Sequence, residues 1–229
     1  MEMMKQKQSR ELLVFISCFF VVWSTRAICL YSIDQSIASD SVRTIYSNLI
    51  KFLLWVLPAF GFAHWVRKAS PLAYLGFSKL PPIRQWGLYL AAMGLFFGLV
   101  ISFETFSGHK TLSVTESTSS ITVSGFLFHF LSPLIEETLF RGLFMQEFLQ
   151  LLPGWKANIV TSLLFAGIHL PFWLWHDGLT QAVIANTLGV FIFSLLAGWL
   201  YQRSHSIWPP TLAHIFNNFI STLLIVPTA

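Results

Sequence analysis

Charge is what this chain has least of. Only 10% of its 229 residues are Asp, Glu, Lys or Arg, where a soluble domain carries roughly a quarter. Hydrophobic residues make up 55% and the mean hydropathy is +0.65. A water-soluble globule is excluded; a polytopic membrane protein remains. Cysteine is scarce too. Cys18 and Cys29 are the only two, and they lie about 16 Å apart along a helix axis, too far to bridge. No disulfide framework exists and redox compartment is unreadable. Neither cysteine sits in a motif that would make it a nucleophile. A basic stripe is also missing. The formal net charge is +4, but the cations are scattered through loops, which argues against nucleic acid as a partner.

What is there is a series of long apolar runs. A helix needs about 20 mostly apolar residues to cross the hydrocarbon. On that rule the chain reads as an all-α transmembrane bundle with spans at 12–30, 46–66, 86–106, 121–145, 155–174, 180–201 and 208–226. Seven is the favoured count within a range of six to eight, because the segment before Trp155 is too long for one straight crossing. The step Ser132-Pro133 is expected to kink or restart that helix. Lys5, Lys7 and Arg10 before Leu12 imitate a secretory signal, but Arg26 interrupts the region of a cleavage site, so a retained first span is expected. Residues 1–120 supply about three spans without a motif, and 121–229 about four with motifs. Nine of the basic residues fall on the amino-terminal side of the bundle and two, Arg43 and Lys110, on the other. The positive-inside rule then puts the amino terminus in the cytoplasm. Small loops and positive charge suit a bacterial inner membrane. The stretch 107–120 reads as an external loop, and Trp86, Trp155, Trp173, Trp175 and Trp208 as interfacial belts.

Three clusters place polar groups where lipid-spanning helices must carry them. An ionisable group at mid-membrane costs a few kcal/mol or more unless it is paired or wet. The first cluster is Glu136-Glu137 with Arg141. Glu137 and Arg141 are four apart, share a face and can pair. Glu136 points about 100° away and has no partner in its own helix. With Ser132 as N-cap and Pro133 at the first helical position, Glu136 would fall near the helix start, where the dipole favours a carboxylate. The bland alternative is two carboxylates solvated at a surface. The second cluster is Phe165 with His169, beside the close-packing pair Ala166-Gly167. A lone histidine there is more often a packing residue. The third is His214 with Asn218, four apart on one face, with Asn217 able to substitute. Glu136 and His169 both lie on the order of 20 Å in along antiparallel helices; His214 and Asn218 match that level loosely. His129 could line the same space. Glu104 and Glu147 read as interfacial, and His64, His109, His176 and His205 as solvated.

The patterns E-E-x-x-x-R, F-x-x-x-H and H-x-x-x-N, in this order from Ser132 to Phe219, resemble the CAAX-processing and bacteriocin-processing (CPBP, or Abi) family of intramembrane endopeptidases. The resemblance implies Glu136 as general base, with His169 holding and activating its water. It implies His214 and Asn218 as the oxyanion hole, with Glu137 and Arg141 in support. It implies a peptide or membrane-protein substrate in or near the bilayer. Its members have been described as metal-free glutamate proteases and as metalloproteases. A zinc site would use Glu136, His169 and His214; the carboxylate pair with an Asn donor suits the metal-free form better. The runner-up function is a non-catalytic scaffold, immunity or regulatory protein of the same fold. A proton-coupled transporter would show paired halves, and no internal repeat is visible.

Overall fold

In a computed structural model, which describes residues 2–107, 111–112 and 123–225, the chain is a bundle of helices. Helix α1 spans Glu2–Cys29 and a short α2 spans Tyr31–Ser36. Helix α3 runs unbroken over Asp40–Val66, capped by the Ser39 hydroxyl, which accepts from the Val42 amide at 3.4 Å. A short α4 (Pro71–Tyr74) leads into α5, Ile83–Phe106. Then come α6 over 123–151, α7 (Gly154–Gly167), α8 (Leu170–Asp177), α9 (Gln181–Ser204) and α10 (Trp208–Leu223). The extended pairing among the described residues is two residues long, Thr111–Leu112 antiparallel to Leu224–Ile225. Most of the expected loop 107–120 lies outside the described residues.

Each span expected from the sequence has a helical segment at its place, but five are long and apolar enough to cross a bilayer: Lys5–Cys29, Asp40–Val66, Ile83–Phe106, Gly154–Asp177 and Gln181–Ser204. The other two differ for physical reasons. Helix α10 has 16 residues, short of a full crossing. Helix α6 carries Glu136, Glu137, Arg141 and Glu147, all buried. It is an inner helix, shielded by its neighbours.

Proline did not restart α6. Ser132 has ordinary right-handed helical angles (φ −58°, ψ −47°) and caps nothing. The preceding turn, Leu127–Leu131, widens into a π-helix instead, and α3 does the same at Phe52–Val56 ahead of Pro58. Proline lacks an N–H and crowds the carbonyl four residues earlier; a π turn moves that carbonyl away. The expectation that Glu136 gains from a helix start is therefore corrected.

The packing centre is aromatic. Phe15, Phe19, Trp55, Phe62, Phe140 and Phe144 meet edge to face with centroids 5.2–6.4 Å apart. Lipid tails are as apolar as these rings, so shape and ring geometry hold them together, not exclusion of water. This cluster pins α1 and α3 against α6. On the far side α9 lies along α7, with Asn158 donating to the Leu195 carbonyl at 3.0 Å. Helix α5 is peripheral; Leu95, Leu99 and Phe103 face outward.

Candidate active site

A cavity of about 650 Å³ opens between α1, α3, α6, α7–α8, α9 and α10. Glu136, His169, His214, Asn217 and Asn218 all line it. That volume is in the range of ligand-binding clefts. The structure thus brings the four expected residues to one space.

Glu136 is buried, and its two oxygens have different surroundings. Oε1 accepts from the Lys51 ammonium at 2.7 Å and from the Ser132 hydroxyl at 3.0 Å, and Lys51 also donates to Ser132 at 2.8 Å. Oε2 lies 3.9 Å from His214 Nε2, beyond hydrogen-bond length. The expectation of an unpaired acid is corrected here. Among the described residues its own helix supplies Ser132 alone, but α3 supplies a cation from 85 residues away.

Glu137 faces the other way, as the 100° offset requires. Its Oε1 accepts from Arg141 Nη1 at 3.0 Å and from His214 Nδ1 at 2.8 Å. Arg141 turns its second nitrogen to Ser194, reaching the carbonyl at 2.9 Å and the hydroxyl at 2.7 Å. Both side chains of the pair have no exposure. One carboxylate therefore joins α6, α9 and α10.

The histidines are oriented by their neighbours. His169 sits in the break between α7 and α8, two residues before Pro171. Its Nδ1 donates to the Phe165 carbonyl at 3.0 Å, so a neutral ring offers the lone pair of Nε2. The break is braced by Trp23, whose indole donates to the Ile168 carbonyl at 3.2 Å. Phe165 is the common wall, 5.5 Å from His169, 5.7 Å from His214 and 4.8 Å below the Arg141 guanidinium. The Phe of F-x-x-x-H thus packs both imidazoles. His214 Nδ1 faces a carboxylate and must carry its proton, so Nε2 can donate only when the ring is an imidazolium.

Asn218 donates to the Phe128 carbonyl at 3.1 Å. In the π turn Ser132 N–H reaches five residues back to Leu127, so the next carbonyl, Phe128, would pair with the N–H that Pro133 lacks. Asn218 satisfies it and keeps one amide N–H in reserve. His129 is not part of the cavity wall. Its Nδ1 meets the Gly125 carbonyl at 2.7 Å, its Nε2 meets Thr222 Oγ1 at 3.0 Å, and its ring stacks on Phe219.

Three residues were missed in the sequence. Lys51 and Trp23 are the first two. The third is Trp173, read as interfacial, which stacks on His169 at 5.0 Å and lines the cavity. Glu147, read as interfacial, is fully buried and bound by Arg67 at 2.8 and 2.5 Å and by Tyr74.

The residues do not fit a zinc ion as they stand. Among the described residues no group of three His, Cys, Asp or Glu side chains is close enough to hold a metal. The Lys51 ammonium on Glu136 Oε1 sets a cation beside the carboxylate that a dication would have to share.

Residues 118–220 match the family model described as type II CAAX prenyl endopeptidase Rce1-like. The match, over rather less than half of the chain, bears out the resemblance carried by the three motifs. Comparison with curated proteins and with solved structures finds no match.

Proposed function

We propose, on the premise of a CAAX-protease segment at 118–220, that the chain is an intramembrane endopeptidase using Glu136-activated water. One observation carries the reading: Glu136 is fixed through Oε1 while Oε2 is left facing the cavity beside His214 Nε2. A base needs one oxygen free and aimed.

In the reaction Oε2 takes a proton from water while the water oxygen bonds the scissile carbonyl carbon. His169 Nε2, neutral and open to the cavity, holds that water. Negative charge gathers on the carbonyl oxygen, where the spare Asn218 N–H and an imidazolium His214 donate to it. Such preaimed donors are each worth about 3–4 kcal/mol of barrier. Glu137 accepts from His214 Nδ1 and holds the ring in place, and Arg141 in turn holds Glu137. The C–N bond then breaks and the proton on Glu136 passes to the leaving nitrogen. No step requires a metal.

The substrate class is a membrane-associated peptide, bound where the aromatic wall of Trp23, Phe165 and Trp173 meets the polar rim of Arg26 and Asn48. The distribution of basic residues supports an amino terminus in the cytoplasm of a bacterial inner membrane. The test uses purified protein and an internally quenched peptide ending in a farnesylated CAAX sequence. Cleavage by wild type, lost in Glu136→Ala and His169→Ala and unaffected by strong chelator, is the expected result. Activity abolished by chelator and restored by zinc would contradict the metal-free mechanism.

A further inference from the structure

We propose that Lys51 is a positioning residue for the reaction, the group that aims and charges the Glu136 carboxylate. The inference rests on the peptidase reading above, and it assigns a role to a residue of α3, outside the matched segment.

The argument starts from cost. A bare carboxylate among aromatic and aliphatic side chains is expensive, and a buried lysine is equally so. Bringing them to 2.7 Å satisfies both, and Ser132 closes the triangle. Three heavy atoms in mutual hydrogen bonding leave the carboxylate little freedom to rotate. Rotation would exchange Oε1 and Oε2 and turn the free edge from the cavity. The Lys51 stem is held as well, since its ammonium lies 5.5 Å over the Trp55 ring and Trp55 is locked against Trp23 at 4.7 Å. The clamp is thus built from the aromatic centre of the molecule outward.

The ammonium also persists through the chemistry. When Glu136 takes the proton, its negative charge moves to the carbonyl oxygen, and Lys51 remains as a cation at the rim of the same cavity. Lys51 neither gains nor loses a proton in this sequence; it contributes geometry and charge.

The test uses the full chain in nanodiscs with the farnesylated quenched peptide. Lys51→Met is expected to lower kcat about a hundredfold, the cost of a misaimed reacting group, while KM changes little because substrate contacts remain. Lys51→Arg should recover part of the loss. So should Lys51→Cys alkylated with 2-bromoethylamine in a Cys18→Ala, Cys29→Ala background, since it rebuilds an ammonium at the same reach. A kcat in Lys51→Met close to wild type, or a loss that neither restored cation repairs, overturns the proposal. Difference infrared spectroscopy gives a second readout that needs no turnover. The band lost in Glu136→Gln should be a carboxylate stretch in wild type and a protonated-acid stretch in Lys51→Met. If the wild type cleaves nothing, the peptidase reading fails by itself. The infrared arm then decides the Lys51 assignment: an unchanged carboxylate band in Lys51→Met overturns it.

Discussion

At the scale of single residues, the two adjacent glutamates are separated by their surroundings. Glu137 is locked by Arg141 and His214 and has no exposure. Removing one member of such a pair strands a buried charge, at about 3–5 kcal/mol. Arg141→Met is therefore expected to lower the thermal unfolding midpoint in detergent sharply. Arg141→Lys should recover little, because one ammonium cannot reach both Glu137 and Ser194 as the guanidinium fork does. A midpoint for Arg141→Lys equal to wild type would show the fork to be unnecessary. The Glu137–Arg141 pair was readable from the sequence, since a four-residue spacing states it outright. Lys51 was not, because its partner lies 85 residues away and spacing says nothing across that distance. A trace of it was present: once Arg141 is matched to Glu137, Glu136 is left with two cations inside the expected spans, Lys51 and Arg26.

At the scale of helices, the π turn before Pro133 links backbone to site. It leaves Phe128 O for Asn218. Pro133→Ala restores an N–H that can take that carbonyl, releasing Asn218 and shifting it. Loss of kcat between about tenfold and a hundredfold without loss of thermal stability is expected; unchanged kcat would separate the turn from catalysis. Two glycines test the packing of α6 and α9. A Cβ on Gly142 would lie 2.8 Å from the Leu75 carbonyl oxygen, which is backbone. A Cβ on Gly198 would meet the Asn158 side chain, which can swing away by giving up its bond to Leu195. Gly142→Ala should therefore cost more stability, about 1–3 kcal/mol, than Gly198→Ala, read as unfolding midpoints. The reverse order would mean that the 71–77 segment yields more easily than Asn158. Helix positions were legible from apolar runs alone. The continuity of α6 through Pro133 was not, because proline reads as a stop until a π turn absorbs it.

At the scale of the whole molecule, the motif-free amino-terminal half completes what the carboxyl-terminal half begins. Helix α1 braces the His169 break through Trp23, and α3 supplies Lys51. A second tie sits at one end of the bundle, where Arg67 joins Glu11 at 2.6 Å to Glu147 and Tyr74 donates to the same Glu147. Hydrogen bonding to Glu147 raises the Arg67 value, and burial first, then the bond to Glu147, pushes the Tyr74 hydroxyl above its ordinary value of 10.0. A raised value means that the neutral hydroxyl stabilises the fold fully below about pH 10 and loses that contribution above it. Wild type should thus be more stable than Tyr74→Phe at neutral pH, with the gap closing above pH 10. A constant gap would remove Tyr74 from the tie. The motifs were legible in the carboxyl-terminal half and three spans in the other, but the contacts between the halves were not, since cross-bundle contacts carry no spacing signature.

The most direct measurement follows the oxygen. Purified protein incubated with the quenched farnesylated peptide in ¹⁸O-labelled water should give a product whose new carboxylate carries one labelled oxygen. Glu136→Gln, at equal protein level and unchanged fold, should give no product. Labelled product formed at the wild-type rate by Glu136→Gln would contradict Glu136 as the base that activates water.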